Sequence, residues 1–306
     1  GTMGGDTGSW SFLLAMLAVT FGGIFVISTL IGSITSGIEE KLDELRKGRS
    51  RVLESGHIVV LGWSQHVFTV ISELLVANQS QARSCIVVLG EKSKVEMEDE
   101  LRERLGDTGR TRLICRTGDP TSLDDLDLVN VQASRSIVVL PPEGEGGDAA
   151  VVKTLLAVTN SPRRRAEPYH VVAALQSARS LSAARLAGRG EATLFEVGDL
   201  LNRITVQTCR QSGLSAVYLE LLDFDGDEIY FREEPGLVGR TYGEALLAYE
   251  KAAVIGLAPR GQKALVNPPM ERRIDPGDRV VAVVEDDSVF SLGARTPSVD
   301  ESLIRA

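Results

Sequence analysis

A long uncharged segment near the N-terminus constrains the fold of this chain more than any other feature. From Thr7 to Ile38 the sequence contains no Asp, Glu, Lys or Arg, and its most apolar part runs from Phe12 to Gly32. With a rise of about 1.5 Å per residue, a helix of that part is roughly 31 Å long, close to the ~30 Å hydrocarbon core of a bilayer. A soluble core helix is usually shorter and has polar residues on its solvent side. The segment therefore predicts a transmembrane helix.

The charges on either side of this segment predict its orientation. A secretory signal peptide needs basic residues before the apolar stretch, whereas only Asp6 carries charge there. The basic residues follow the helix, at Lys41, Arg46, Lys47, Arg49 and Arg51. The positive-inside rule then places everything C-terminal to the helix in the cytoplasm. The three cysteines, with no C-x-x-C pair among them, suit that reducing compartment.

Two adjacent glycines lie in the middle of the apolar segment, at Gly22 and Gly23. Glycine weakens a helix and can mark a bend, but it also lets membrane helices pack closely. In the first interpretation this is a pore-lining helix with a hinge at the glycine pair and Ile27 among the lining residues. Close packing against another helix is the alternative.

Residues 39–55 are predicted to form a linker helix, since Ile38, Leu42 and Leu45 recur at helical spacing. Gly48 is expected to end the helix. A stiff mechanical link between membrane helix and cytoplasmic domain is one interpretation, and an ordinary solvated helix is the other.

Apolar β-branched runs then alternate with helical stretches for about 140 residues, which is typical of a doubly wound α/β domain with a parallel sheet. The predicted strands are His57–Leu61, Cys85–Leu89, Arg112–Cys115, Ser136–Leu140, His170–Ala174 and Ala192–Phe195. The predicted helices are Val67–Ala77, Val95–Leu105, Leu123–Leu128, Ala149–Val158, Leu181–Ala187 and Gly198–Gly213. The basic run Arg163–Arg165 is interpreted as a solvated turn.

The turn after the first strand is the predicted ligand-pocket turn, because ligands of such sheets bind beyond the carboxyl ends of the strands. It reads Gly62, Trp63, Ser64, Gln65, His66, Val67. A dinucleotide fingerprint requires glycine at the positions of Ser64 and Val67 as well. Only Gly62 matches, so NAD is not expected as a cofactor.

Acidic residues follow the predicted strands at the same edge. Glu91 follows the second strand, where it would bind a ribose hydroxyl or simply start a helix. Asp119 follows the third, and Asp119 or Thr121 is expected to cap the next helix with Pro120 at its start. Glu143 and Glu145 lie in an acidic loop after the fourth, either solvated or in contact with a cation. Because Ca²⁺ takes oxygen ligands, these four carboxylates are the candidate cation ligands.

The periodicity changes near residue 222 and predicts a smaller α+β C-terminal lobe. Its strands are expected near Glu228–Arg232, Ala252–Leu257, Lys263–Leu265 and Arg279–Val284, with a helix near Tyr242–Ala248. The net charge of -9 argues against a nucleic-acid surface. No nucleophile, P-loop or zinc-protease motif occurs, so an enzyme is not expected.

Several segments resemble the CASTOR/POLLUX family of cation channels, which carry regulator-of-conductance (RCK) domains. They are Ile38–Ser50 (IEEKLDELRKGRS), Val59–Ser64 (VVLGWS), Val88–Lys92 (VLGEK), Ile114–Pro120 (ICRTGDP) and Pro276–Asp287 (PGDRVVAVVEDD). The LGWS turn joined to the charged linker is the most specific of these. The resemblance extends from about Gly22 to Asp287.

The resemblance implies a subunit of a homotetrameric, ligand-gated channel whose RCK units form a cytoplasmic ring. It assigns residues 1–38 to the filter exit and inner pore helix, 39–55 to the linker, 56–213 to a Rossmann-like lobe, 214–290 to the C-terminal lobe and 291–306 to a polar tail. It also implies a fragment, without the preceding helices and a second RCK unit. Ca²⁺ is the gating ligand it suggests, and the partners are identical subunits, lipid and permeant cations.

Two other functions remain open from the sequence. One is a membrane-anchored sensor of NAD or adenine nucleotides, like the regulatory subunits of potassium uptake systems. The other is a membrane-tethered oxidoreductase, for which the glycines and an acid–base pair are lacking. The composition of 26 Arg and 7 Lys suggests a bacterial plasma membrane as the location.

Overall fold

The computed structural model describes residues 10–46, 48–79, 81, 83–144, 146–223 and 226–293, and for residues 36–46 and 287 it describes the backbone alone. Contacts divide the chain into two compact units. The first comprises Gly1–Ile71 and Gln81–Val197, and the second comprises Ser72–Ser80 and Gly198–Ala306.

The first helix, α1, is continuous from Trp10 to Arg46. The predicted membrane helix and residues 39–46 of the predicted linker helix are thus one helix, which ends two residues before Gly48. Residues 48–55, the rest of the predicted linker, are not helical, and Gly48 at their start has φ +68°. Among the described residues, one helix is long and apolar enough to cross a membrane, over Trp10–Thr35. The hydroxyls of Thr20 and Thr29 donate to the carbonyls of Met16 and Phe25, both at 2.8 Å, so these polar groups need no water in a bilayer.

The rest of the first unit is a six-stranded parallel sheet with helices between its strands. The strands are β1 (Ile58–Leu61), β2 (Ser84–Gly90), β3 (Thr111–Thr117), β4 (Ser136–Val139), β5 (Val171–Leu175) and β6 (Ala192–Glu196). The helices are α2 (His66–Ala77), α3 (Lys94–Leu105), α4 (Leu123–Leu128), α5 (Gly147–Thr159) and α6 (Leu181–Ala187). Every predicted strand and helix of this region is present, with ends shifted by up to two residues.

The strand order is β3-β2-β1-β4-β5-β6, which is the doubly wound Rossmann order. All four residues of β1 are buried, as expected for a strand covered on both faces. Val59 pairs with Val87 on one side and with Ile137 on the other. Successive strands are added outward from β1 to β3 on one side of the sheet and from β4 to β6 on the other. The order therefore switches between β1 and β4, and the crevice at their carboxyl ends is where this fold binds ligands.

The second unit is built on an antiparallel sheet with the order β7-β10-β8-β9. Its elements are α7 (Val197–Arg210), α8 (Leu214–Leu222), β7 (Glu228–Glu233), α9 (Tyr242–Leu246), β8 (Ala253–Ala258), β9 (Leu265–Val266) and β10 (Arg279–Val284). The α+β prediction for this lobe is confirmed. Its core includes Tyr242, Leu257 and Val280, and the fully buried Phe290 beyond β10 packs on Tyr249.

Two expectations for this region were wrong in detail. The predicted helix Gly198–Gly213 ends at Arg210. A separate helix with no counterpart among the predictions, α8, begins after Gly213, whose left-handed φ of +87° interrupts the helical run. The strand expected at Lys263–Leu265 is the two-residue β9, which pairs Leu265 with Leu257.

Candidate functional site

A cavity of about 210 Å³ lies at the carboxyl edge of the parallel sheet. Its walls come from the ends of four strands and from α5, and include Gly62 and Trp63, Glu91 and Lys92, Asp119 to Thr121, Leu140 and Pro142, and Thr154. The cavity thus occupies the switch point between β1 and β4. The predicted turn contributes two residues to it, and the predicted acids contribute two more.

The backbone conformation at the floor of the cavity requires a glycine, and Gly62 supplies it. Its φ is +105°, and a β-carbon at this position would lie 2.4 Å from the carbonyl oxygen of Leu140. Its N–H donates to the carbonyl of Leu89 at 2.9 Å, and the N–H of Leu140 donates to the carbonyl of Leu61 at 2.9 Å. These bonds hold the ends of β1, β2 and β4 together.

Trp63 forms one wall of the cavity. Its ring meets the ring of Phe68 edge to face, with centroids 5.6 Å apart, and the ammonium of Lys92 lies 5.8 Å from its centroid. A β-carbon on Gly90 would come within 2.9 Å of the Trp63 β-carbon. The Lys92 ammonium also pairs with Glu100 of α3. Phe68, Lys92 and Gly90 therefore fix the position of the Trp63 side chain.

Ser64 and Gln65 complete the predicted turn but lie outside the cavity lining. Ser64 is 3% exposed, and its hydroxyl has no hydrogen-bond partner among the described residues. The backbone N–H of Gln65 donates to Oε1 of Glu143 at 3.0 Å, and its side-chain oxygen accepts from Arg104 at 2.8 Å.

The four predicted acids have different environments. Glu91 lines the cavity and is exposed, whereas the carboxylate of Asp119 accepts from the N–H and hydroxyl of Thr121 at 2.7 and 2.8 Å. Glu143 caps the N–H of Gln65, and Glu145 lies outside the described residues. Within the described parts of the chain, no group of three or more His, Cys, Asp or Glu side chains is placed to hold a metal ion.

The expected capping role of Asp119 or Thr121 was wrong. Helix α4 begins at Leu123, and the hydroxyl of Ser122 accepts from the N–H of Asp125. Asp119 instead folds its carboxylate back onto Thr121, which forms a turn before the helix. Pro120 therefore lies in that turn and not at the first helical position.

Asp125 is a buried acid of α4 that the sequence did not single out. Its Oδ2 accepts from the N–H of Asp119 at 2.9 Å, and its Oδ1 accepts from Arg49 at 2.7 Å. A β-carbon on Gly118 would come within 2.9 Å of the Asp125 side chain, so the turn and the acid fit closely. The partners are 76 residues apart in the chain, and no local motif indicates such a pair.

Further hydrogen bonds join the segment between α1 and β1 to β3 and to the end of α4. Arg116 donates from Nε to the carbonyl of Ser50 at 2.6 Å, and the N–H of Val52 donates to the carbonyl of Leu128 at 2.7 Å. Gly48 has φ +68°, and a β-carbon there would lie 2.7 Å from the Lys94 β-carbon. We call residues 48–54 the strap.

The predicted hinge and lining residues lie in the apolar half of α1. The helix continues through Gly22 and Gly23 without a break, and nothing lies within 4 Å of a β-carbon built on either glycine. Ile27 is 58% exposed. Neither the hinge nor the lining role is tested by this arrangement.

Two of the three cysteines are held as neutral thiols. Burial raises the pKa of Cys85 to about 11 and that of Cys115 to about 12, and nearby carboxylates add to the effect. Neither is a thiolate nucleophile at neutral pH.

Two family models match separate parts of the chain. Residues 53–159 match the model described as a calcium-activated potassium channel slowpoke-like RCK domain. Residues 198–300 match the model described as Castor and Pollux, part of voltage-gated ion channel. The two matches fall on the parallel-sheet unit and on the second unit.

Curated relatives that match nearly the whole chain show which family it belongs to. The chain is 33% identical over 282 residues to a probable ion channel CASTOR of Oryza sativa subsp. japonica, an alignment that covers 91% of this chain and 31% of the relative. The chain belongs to the CASTOR/POLLUX family. A probable ion channel POLLUX of the same species is 30% identical over 295 residues, covering 95% of the chain and 30% of the relative.

As a CASTOR/POLLUX chain, it spans about a third of the length of these curated relatives. The human SLO3 gating ring has the same fold, with a TM-score of 0.52 and 15% identity over 76% of this chain and 45% of that one. The relatives are named as ion channels, which agrees with the prediction that the chain is not an enzyme. Together with the apolar helix, they indicate a membrane protein.

The prediction of a bacterial plasma membrane gains no support from these relatives, because they are plant proteins. The reason is physical: an excess of Arg over Lys sets the charge of a surface and carries no information about which membrane a helix enters.

Proposed function

We propose that this chain is the membrane-helix and ligand-sensing part of a cation-channel subunit. In this proposal the parallel-sheet unit binds a ligand in the cavity at its carboxyl edge. The strap carries the resulting change to α1. The names of the relatives, the RCK family match and the apolar helix support this function.

One observation carries the proposal. Asp119 lines the cavity, its N–H binds the Asp125 carboxylate, and that carboxylate binds Arg49 in the strap. Arg49 is three residues beyond the end of α1. A ligand that moves the β3–α4 turn therefore acts on the chain next to the membrane helix through two hydrogen bonds.

The coupling is thermodynamic. A ligand shifts a gating equilibrium only by the difference between its affinities for the two conformations. Coupling energies between sites are typically ~1–3 kcal/mol, and a charge-assisted hydrogen bond contributes ~1.5–3 kcal/mol. Because the Arg49 side chain is 59% exposed, solvent screens the Asp125–Arg49 bond and reduces its contribution to about 1 kcal/mol. That value matches the lower end of the coupling range if the bond differs between the two states.

Assembly is part of the proposal. A pore needs several helices around a water-filled path, and α1 alone cannot supply one. We infer a homotetramer, with RCK units in a cytoplasmic ring, α1 as the inner pore helix and permeant cations in its path. Gly22 and Gly23 would give the helix its bend, with Ile27 facing the pore. The basic residues that follow the apolar part of α1 support a cytoplasmic position for both units, and a plasma membrane as the location stays a prediction.

Calcium is the ligand that the family resemblance suggests, and its site is incomplete among the described residues. Ca²⁺ takes about six to eight oxygen ligands. Glu91 and Asp119 offer two carboxylates to the cavity, and Asp119 is already bound to Thr121. A calcium site here therefore needs further ligands from water, the backbone or other residues. Calorimetric titration of the chain with Ca²⁺, repeated with Glu91→Gln and Asp119→Asn, tests this ligand separately.

A nucleotide sensor without a pore of its own is the second candidate. The Rossmann strand order and the position of the cavity favour it. The absence of glycine at Ser64 and Val67 argues against it, because a pyrophosphate needs close approach to the backbone there. Currents through the purified protein separate the two functions.

Planar-bilayer recording tests the proposal, using the purified protein with every segment that its gene encodes. We expect cation currents whose open probability depends on a ligand added to the side of the two units. Asp125→Asn should keep the current and lose most of the ligand dependence. Asp124→Asn is the matched control, since its side chain is 87% exposed and lies on the same helix. No cation current from the wild type would refute the channel function.

A further inference from the structure

We propose that Glu143 determines the charge class of the ligand in the cavity. Its carboxylate accepts a hydrogen bond from a backbone N–H beside the cavity at which a nucleotide phosphate would bind, so the cavity takes a hydroxyl-bearing ligand without phosphate groups. The inference rests on the proposed function only in treating this cavity as the ligand site.

The contact lies where a Rossmann-like fold binds phosphate. In such folds the phosphate is held by backbone N–H groups of the first βα turn, at the positive end of the following helix. Here the turn leads into α2, and the N–H of Gln65 donates to Oε1 of Glu143 at 3.0 Å. A carboxylate and a phosphate are both strong acceptors for such a donor. Glu143 therefore competes directly with any phosphate at this turn.

The turn itself is closed to a pyrophosphate. A serine, 3% exposed, stands where the fingerprint has its second glycine, and its hydroxyl is buried without a partner among the described residues. A β-carbon at Ser64 takes the space that close approach of a diphosphate requires. Competition by Glu143 and closure by Ser64 act in the same direction.

The charges around the cavity also disfavour an anion. Glu91 and Asp119 are the acids among its lining residues, and Lys92 is the cation, already paired with Glu100. Like charges placed together at a binding site cost several kcal/mol, so a phosphate gains no compensation here. Glu91, by contrast, follows β2 in the position from which an acid accepts hydrogen bonds from ribose hydroxyls.

The volume fits the same class of ligand. At about 210 Å³ the cavity is smaller than the ~300–1,000 Å³ of sites for drug-sized ligands. Trp63, Leu140 and Pro142 give it apolar walls. A compact ligand with a flat apolar part and hydroxyl groups, such as a nucleoside, matches the walls, the acid and the size together.

Calorimetric titration of the full chain in detergent, with adenosine and with ADP, tests the inference. We expect adenosine to bind the wild type at least about tenfold more tightly than ADP, because the phosphates meet Glu143. Glu143→Gln should tighten ADP binding by about tenfold and leave adenosine within about threefold, because the negative charge is removed and the amide oxygen that remains is a weaker competing acceptor. Glu167→Gln is the control, since Glu167 is exposed and lies in the connection before β5, at the opposite edge of the sheet.

Four results would overturn the inference: ADP binding the wild type as tightly as adenosine, no gain for ADP in Glu143→Gln, an equal gain in Glu167→Gln, or no binding of either ligand to any of these proteins. Adenosine affinity reports whether the cavity is intact in each variant. If Glu143→Gln loses it, Glu143→Ala replaces that variant with the same expectation. Channel currents enter none of these outcomes, so failure here and failure of the proposed function are distinguishable.

Discussion

The two edges of the parallel sheet use charge in opposite ways. At the amino edge, Arg164 donates to the carbonyl of Thr159 and to Glu191, both at 2.8 Å, and Arg165 donates to the carbonyl of Ser134 at 2.7 Å. At the carboxyl edge, Glu91 lines the cavity, and no hydrogen bond or ion pair joins it to another described residue. These arginines of the first edge are satisfied within the protein, whereas the second edge leaves the carboxylate of Glu91 for a ligand.

This comparison corrects the interpretation of Arg163–Arg165 as a solvated turn. Arg164 and Arg165 are half-buried. Arg164 donates to the carbonyl of Thr159 at the end of α5, where the helix dipole favours cations, and Arg165 donates to the carbonyl of Ser134 before β4. Arg163 is 61% exposed and contacts Asp127. A charged run in a loop can therefore stabilise the fold, as at the amino edge, or serve ligand binding, as at the carboxyl edge. The sequence alone does not distinguish these two roles, because they depend on the edge at which the fold places the run.

The largest effect is expected at the floor of the cavity. Gly62→Ala adds a β-carbon that meets the Leu140 carbonyl at 2.4 Å, at a residue with φ +105°. Strained backbone of this kind costs ~1–3 kcal/mol, and the clash adds to it, so we expect a loss of about 3 kcal/mol or more. Denaturant unfolding of the chain in detergent measures it. Gly144→Ala, also at positive φ but with open space around it, should lose only about 1 kcal/mol.

Removal of the Asp125 carboxylate should be the next most costly change. Asp125→Ala leaves the N–H of Asp119 without its acceptor and frees Arg49. An unsatisfied buried donor costs ~1–3 kcal/mol, so we expect about 2 kcal/mol. Asp124→Ala, on the exposed neighbour, should change unfolding by less than about 0.5 kcal/mol. Equal losses in the two variants would contradict the assigned role of Asp125.

A smaller loss is expected at the amino edge. Arg164→Ala removes three side-chain hydrogen bonds, one of them to the Glu191 side chain, which is 12% exposed. Because hydrogen bonds to charged groups contribute ~1.5–3 kcal/mol and Arg164 is partly solvated, we expect about 1–2 kcal/mol. Arg163→Ala is the control, with an expected loss below about 1 kcal/mol. Unfolding midpoints that reverse this order would restore the solvated-turn interpretation for Arg164.

Low pH should lower the stability of the fold through Glu191 at the amino edge of the sheet. Burial favours a higher pKa for Glu191, but hydrogen bonds from Tyr169 and Arg164 outweigh it and lower the pKa below its usual value of 4.5. A depressed folded pKa contributes stability that is present above the unfolded pKa and is lost as pH falls through the folded one. We expect stability to fall below about pH 4.5, with a shallower fall in Glu191→Gln. Thermal melts between pH 3 and 6, a range chosen to span ~1.5 units on either side, measure it.

The smallest effect on stability is expected for a substitution of Glu91, which lines the cavity at the carboxyl edge. Glu91→Gln removes no contact with a described residue, so unfolding should change by less than about 0.5 kcal/mol. The change should appear in ligand binding instead. A stability loss comparable with that of Arg164→Ala would show that the two edges do not differ in the way described.

Much of the first unit could be predicted because its signals are local. Ile58–Leu61 is apolar throughout, Ser136–Val139 is apolar after its first residue, and helices separate such runs, so a parallel sheet follows from the sequence. The ligand turn followed from the same alternation, since it comes directly after the first strand. The position of Gly62 and Glu91 in one cavity is a consequence of that topology.

The rest could not be predicted because it depends on distant pairs. Nothing near Asp125 indicates Arg49, and nothing near Glu143 indicates the N–H of Gln65, 78 residues earlier. The break between α7 and α8 depends on a left-handed glycine within an otherwise helical stretch. Ser122 caps α4 in place of the expected Asp119, because the Asp119 carboxylate is bound to Thr121 in the turn before the helix.

The most direct test of the account is the ligand dependence of the bilayer current in Asp125→Asn compared with Asp124→Asn. The account predicts that both variants conduct cations and that only Asp125→Asn loses most of its response to the ligand, because its weaker acceptor loosens the bond between the strap and the cavity. A full ligand response in Asp125→Asn, or an equal loss in both variants, would contradict it.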